Sequence, residues 1–223
     1  MSTPSTPAAS AVPQKNSLLT SRLGSFLSVV PLGVWTVVHL WNNLAAFQGA
    51  SAWQRSVTEY KHPFAQVLTW LVVLLPLLMH TGWGIQRLFS FRPNNGSYNN
   101  YGNTKYILQR LSAVGLLAFL CAHIYLAFLH PRLGGGAPEA FSDIAGEMHH
   151  HTPTLIVYLL GTLAVSYHLA NGIQGFCMSW GILATERSMR RFEPVALGFF
   201  ALLLAMSWGA VYALYRAGEA FGG

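Results

Sequence analysis

Hydrophobic residues along this chain gather into five long blocks separated by polar stretches. The first follows Arg22, reads LGSFLSVVPLGVWTVVHLWNNLAAF and ends near Phe47. The second runs from Phe64 to Phe89, the third from Tyr106 to Leu129, the fourth from Leu155 to Gly181 and the fifth from about Phe192 to Tyr215. About 20 apolar residues in a helix cross the roughly 30 Å of bilayer hydrocarbon, so each block predicts one membrane-spanning helix. The fourth is the most telling. It is 27 residues long, has no Asp, Glu, Lys or Arg, and carries one histidine, His168, near its middle. A histidine at that depth costs free energy unless it faces the protein interior and finds a partner. At +3, +4 and +7 on its face stand Asn171, Gly172 and Gly175, a small polar stripe where a bulky group can approach the backbone.

The connecting segments carry fewer signals. Residues 1–21 are rich in Ser, Thr, Pro and Ala and lack an apolar signal-peptide core, so a disordered lead is expected. Pro31 should kink the first span mildly, which neighbouring helices in a membrane tolerate. Residues 48–63 read as a polar loop, 90–104 as a Gly/Asn-rich turn, 130–152 as a loop with Gly134 to Gly136 and His149 to His151, and 217–223 as a short tail. The fold class expected is an all-α integral membrane protein, with residues 22–216 forming one domain of five transmembrane helices.

Composition agrees: 52% of residues are hydrophobic and only 9% charged, with mean hydropathy +0.38. A net charge of +6 invites a nucleic-acid reading, but the cations sit between apolar spans and form no single stripe, so no nucleic acid is expected as a partner. Cys121 and Cys177 both fall inside spans, which argues against a disulfide framework or a thiolate metal site. No Cys-x-x-Cys-His motif is present for covalent haem attachment. Nine cations (Lys15, Arg22, Arg87, Arg92, Lys105, Arg110, Arg187, Arg190 and Arg191) lie on the N-terminal side of the membrane and four (Arg55, Lys61, Arg132 and Arg216) on the other. The positive-inside rule then places the N-terminus in the cytoplasm and the C-terminus outside, across a bacterial inner membrane.

Each of the first four spans carries one histidine: His39, His80, His123 and His168. One such residue is ordinarily a hydrogen-bonded helix contact. Four, one per helix, call for a joint explanation, and depth supplies it. His39 lies 8 residues before Phe47 and His123 lies 7 before His130, both near the outer ends of their spans. His80 lies 16 residues in from Phe64, and His168 lies 15 in from Pro153, on helices that start at the outer face. The two levels are roughly 12 Å apart at 1.5 Å per residue. Two histidine couples stacked at two heights match the needs of two b-type haems, each iron taking two axial imidazoles. An iron so ligated has no open position and relays electrons. Gly82 and Gly84 after His80, and Gly172 and Gly175 after His168, leave room for a flat macrocycle. Arg22, Arg87, Lys105, Arg110 and Arg187 crowd the cytoplasmic interface, where haem propionates need cations.

On these residues the chain resembles the dihaem cytochrome b membrane-anchor subunits of succinate:quinone oxidoreductases, the single-anchor class also seen in menaquinol:fumarate reductases. RLGSFLSVVPLGVWTVVHL, LPLLMHTGWGI, LQRLSAVGLLAFLCAHIY and YHLANGIQGFCMSWGILATERS look like that family's four histidine-bearing helices. The resemblance implies that His39 and His123 hold the haem distal to the catalytic subunits, and that His80 and His168 hold the proximal one. It implies two soluble partners at the cytoplasmic face, a flavoprotein with FAD and an iron–sulfur protein with its clusters, and electron delivery to membrane quinone, menaquinone in preference to ubiquinone. It also implies candidate quinone residues: Glu59 in the loop before the second span, and the basic-plus-hydroxyl couple Arg22 and Ser25. Trp41, two residues from His39, is a further quinone candidate by position alone. A family glutamate used for proton return two residues before the fourth histidine is replaced here by Ser166. A higher oligomer of the complex would assemble through lipid-facing surfaces.

Two rival readings make different demands. A dihaem cytochrome b of another quinone-linked oxidoreductase, such as the bc-complex type, carries two histidines on each of two helices, whereas this chain has one on each of four. A haem-free transporter or proton channel would want carboxylates deep in the membrane, and the span interiors have none. His149 to His151 read as a solvated loop cluster. Trp41, Trp53, Trp70, Trp83 and Trp208 read chiefly as belt or packing aromatics.

Overall fold

The computed structural model describes residues 22–59, 64–90, 92–93, 100–135 and 138–221. The lead expected over residues 1–21 lies outside the described residues. In chain order the described helices are α1 (Arg22–Gln48), α2 (Ala50–Val57), α3 (Val67–Phe89), α4 (Tyr101–Gly134), α5 (Phe141–His150), α6 (Thr152–Ser179) and α7 (Glu186–Gly218). All but α2 and α5 are long and apolar enough to cross a membrane, which gives the 5 spans expected. The chain is a membrane protein whose outward faces carry large apolar side chains for lipid, Leu78, Leu160 and Leu197 among them.

Three widened π turns interrupt the spans, at Ser28–Gly33, Trp70–Leu74 and Tyr125–Leu129. Each contains a proline or stops two residues short of one: Pro31, Pro76 and Pro131. A proline ring clashes with the carbonyl one turn back and offers that carbonyl no N–H. Widening the turn relieves the clash while the backbone stays hydrogen-bonded inside the membrane. Pro31 therefore acts through a widened turn within α1.

The stretches read as loops before the second and fourth spans are partly helical. In α5, Phe141, Ile144, Ala145 and Met148 are buried, the i, i+3, i+4, i+7 stripe of an amphipathic helix. Short length and flanking histidines disguise that stripe in the sequence. In α2 the buried side chain is Trp53, 2% exposed, whose Nε1 donates to Asn43 Oδ1 of α1 at 3.1 Å.

The tightest core lies at the end of the bundle where α2 and α5 sit, here termed the cap face. Ala46 of α1, Trp53, Phe119 of α4, the α5 stripe, Tyr158 of α6 and Val211 and Leu214 of α7 form one buried cluster. A Cβ at Gly218 would overlap the Ala145 carbonyl, so only glycine lets the end of α7 seat on α5. The chain past α7 folds back as well: the Phe221 ring packs on Phe141, and its carbonyl meets His150 Nε2 at 2.9 Å. At the opposite end, the basic face, α1 begins at Arg22, α3 ends beyond Arg87, α4 passes Lys105 and Arg110, and α7 starts through Arg187, Arg190 and Arg191.

Gln54 ties the cap together. Its Nε2 donates to the Glu139 carbonyl at 3.0 Å, and its Oε1 accepts from the Phe141 N–H at 3.1 Å. Glu139 is thereby held 9% exposed. Burial first, and the nearby Asp143 charge second, push its carboxyl up from 4.5 to about 8. The folded chain thus holds this proton more tightly than the unfolded chain does. Its contribution to stability is complete below about pH 4.5 and is lost as pH rises towards about 8. Thermal unfolding of wild type and Glu139→Gln across that range tests this. The wild type should lose stability relative to the variant as pH rises, and a constant difference between them would contradict the assignment.

Candidate functional site

A cavity of about 620 Å³ runs inside the bundle among α1, α3, α4, α6 and the second half of α7, and all four span histidines line it. The rings meet as two couples. His39 of α1 and His123 of α4 have ring centroids 6.0 Å apart at an interplanar angle of 68°. His80 of α3 and His168 of α6 are 6.2 Å apart at 67°. Depth along the spans leads to the same two couples. Two metal–imidazole bonds of about 2 Å laid end to end, plus half a ring at each side, span about 6 Å. The first couple lies beneath the cap, beside Asn43 and Tyr158, and the second lies toward Arg87 and Arg110.

Each ring is held from behind. His80 Nδ1 donates to the Gly24 carbonyl at 3.3 Å, an acceptor only, so its proton sits on Nδ1 and Nε2 keeps a free lone pair. His123 Nδ1 lies 3.1 Å from the Tyr158 hydroxyl. Behind His168 Nδ1 stand Gln109 Nε2 at 3.2 Å and Ser112 Oγ at 3.4 Å. Ser112 gives its own proton to the Gln109 carbonyl at 3.1 Å, which leaves its oxygen lone pair for an Nδ1–H. His39 is the exception. Its Nε2 lies 3.4 Å from Asn43 Nδ2, and its ring stacks on Trp35 at 4.6 Å and 10°. Partners of this kind fix ring orientation and tautomer at metal sites.

Several of these partners escape sequence reading: Gly24, Trp35, Asn43, Gln109, Ser112 and Tyr158. Polar residues such as Gln109, Ser112 and Asn43 inside apolar spans are the available signal. Gly24 gives none, since it acts through its carbonyl, as any residue does.

The remaining lining suits a flat group with an acidic edge. A Cβ at Gly84 or Gly175 would meet nothing within 4 Å, and at Gly172 only Gln109 at 3.8 Å, and all three glycines border the cavity. Gly82 does not border it. Arg110 has a buried Nε without a hydrogen-bond partner, and its guanidinium lies 5.2 Å from the Tyr106 ring centroid at the cavity edge. A buried guanidinium N–H in that state calls for an acceptor. The histidine couples, the glycine floor and this unsatisfied donor fit what a b-type haem would need, with Arg87 and Arg110 as the cations available to its acidic edge.

Other sequence candidates fall elsewhere. Lys105 is engaged by Gln174 and lies 3.6 Å from Glu193. Arg187 lines a separate cleft with Thr185 and Arg191. Arg22 stands 5.9 Å from the Trp180 ring. Ser25 borders the cavity, 3.4 Å from Ser179 Oγ, and accepts from Trp180 Nε1 at 3.3 Å. Glu59 is exposed, Trp41 is 68% exposed, and neither borders the cavity. Ser166 is fully buried and donates to the Thr162 carbonyl at 2.8 Å. His149, His150 and His151 each hold a different partner (Tyr215 O, Phe221 O and Thr154 Oγ1), and among the described residues no three His, Cys, Asp or Glu side chains group as a metal site.

Comparison with known proteins agrees with this geometry. The chain is 30% identical over 193 residues, 86% of its own length and 94% of the relative's, to the succinate dehydrogenase cytochrome b558 subunit of Bacillus subtilis (strain 168). Residues 90–207, more than half the chain, match the model of the succinate dehydrogenase/fumarate reductase transmembrane subunit family. With five spans enclosing two facing histidine couples, and this similarity along nearly the whole chain, the protein belongs to the succinate dehydrogenase/fumarate reductase transmembrane subunit family.

Proposed function

We propose that this chain is the dihaem cytochrome b anchor of a succinate:quinone oxidoreductase, in which His39 and His123 would hold one haem iron at the cap level and His80 and His168 another at the inner level. The observation that carries the reading is the facing of the two imidazole couples, 6.0 and 6.2 Å between centroids, across one cavity. When bound, the two haems supply one-electron transfer between an iron–sulfur partner and membrane quinone.

The chain's own residues prepare that site. The Gly24 carbonyl holds the His80 proton on Nδ1 and turns Nε2 inward. Ser112 and Tyr158 stand behind the Nδ1 atoms of His168 and His123. Arg110 and Arg87 balance acidic groups at the inner edge, while Gly84, Gly172 and Gly175 keep the slot clear. The cap cluster over the first couple excludes water and lowers the dielectric there.

The flavoprotein and iron–sulfur partners dock on the basic face, and its excess of cations supports a cytoplasmic side in a bacterium. Among the quinone candidates Ser25 is the best placed, since it borders the cavity beside Trp180 and Arg22. Pyridine haemochrome absorbance of the purified complex tests the reading. Two haems per chain are expected, and a colourless preparation would overturn it.

A further inference from the structure

The cap encloses one carboxyl that the electron-transfer reading leaves without a role. Glu139 is 9% exposed, sits between the Gln54 clamp and α5, and takes part in none of the ion pairs among the described residues. The neighbouring acids differ. Asp143 is exposed on α5. Glu147 is half exposed, accepts from Thr154 Oγ1 at 3.0 Å and lies 3.4 Å from His151. Glu59 is exposed beyond α2. From α6 the facing titratable group is Tyr158, within electrostatic reach of both Glu139 and Glu147. The Tyr158 hydroxyl in turn touches His123 Nδ1 at 3.1 Å. From α2 the facing group is Gln54, which is neutral. No cation in these contacts offsets a negative charge under the cap.

An electron added at the His39–His123 level therefore lowers the charge there by one unit, beneath the low-dielectric cap in which Glu139 is buried. Charges there interact several times more strongly than in water, so the electron favours the protonated carboxyl. We propose that Glu139 is the redox-linked proton group of the cap-level site: wherever the carboxyl is ionised before reduction, it takes up a proton from the aqueous phase at the cap face when that site gains an electron, and returns it when the electron leaves. The balance is simple. One electron comes from the iron–sulfur partner or a chemical reductant, one proton comes from water, a carboxyl O–H bond forms, and the net charge under the cap is unchanged. The ordinary state of the group suits the task, since burial and Asp143 bring its ionisation to about 8, within reach of working pH. The inference rests on haem binding by the two histidine couples.

Redox titration of both haems in the purified whole complex, from about pH 6 to about pH 9, tests it. One of the two potentials, the one that persists in a His168→Ala complex, should fall with rising pH by up to about 59 mV per unit, the tenfold equivalent for a one-electron couple. Glu139→Gln should flatten that slope and leave the other potential unmoved. It should also remove a protonated-carboxyl band from the reduced-minus-oxidised infrared spectrum. Asp143→Asn, an exposed change that leaves the cap packing alone, should move the sloping region to lower pH and decides the matter if the Gln variant fails to assemble. A cap-level potential that ignores pH, a slope that survives in Glu139→Gln, or a slope unmoved by Asp143→Asn would each overturn the proposal. A complex without haem would instead overturn the reading it rests on.

Discussion

Replacement of His168 by alanine should halve the haem content of the complex, leaving one haem per chain in place of two. The two couples share no residue and stand on different levels of α1, α3, α4 and α6. Removing the His168 ring leaves His80 backed by Gly24 but facing nothing across the cavity. An iron that loses one of two protein ligands is no longer held at the inner level. His39 and His123, with Trp35, Phe119 and Tyr158 packed around them, are untouched. Pyridine haemochrome absorbance on matched amounts of protein measures the change. Retention of both haems would refute the pairing of His168 with His80, and loss of both would refute the independence of the two levels.

The second large effect is expected at Gly161. The Phe119 ring lies directly against the Gly161 backbone, so a Cβ there would overlap Phe119 Cβ, Cγ and Cδ2. Those atoms are the root of a side chain fixed on both sides. The Phe119 ring stacks on His123 at 5.4 Å and 19° and meets Tyr158 edge-on at 5.4 Å and 85°. Gly161→Ala should therefore cost about 1–3 kcal/mol through overpacking. That corresponds to a fall in Tm of about 2–4 °C per kcal/mol for a chain of this size. The displaced ring pushes on His123, so the cap-level haem should be lost before the inner one, and Phe119→Leu in the same chain should recover part of it. A Gly161→Ala complex with both haems and unchanged Tm would mean that α4 and α6 separate there at little cost.

Which features a sequence exposes depends on the range over which each is encoded. The five spans, the one histidine in each of the first four and the two depth levels follow from local composition and the fixed rise of a helix, and the structure keeps them. The helix α5 was hidden for a related reason. Its stripe of Phe141, Ile144, Ala145 and Met148 covers only two turns, and its partners on α7 lie some 70 residues away in the chain. The five propionate candidates rest on the same grounds that make the topology legible. A membrane interface collects arginines for orientation alone, and only Arg87 and Arg110 of the five candidates border the cavity.

The amino-acid order alone determined that the chain is a membrane bundle, which helices carry imidazoles and at what heights, because hydrophobic length and helical rise act residue by residue. Only the tertiary structure decided what stands behind each ring: the Gly24 carbonyl behind His80, Ser112 behind His168, Tyr158 behind His123 and Asn43 beside His39. It also decided that Glu139 is buried whereas Glu59 is exposed. These are matters of which side chains from distant segments converge. Helix rotation and packing set that convergence, and no local periodicity encodes it.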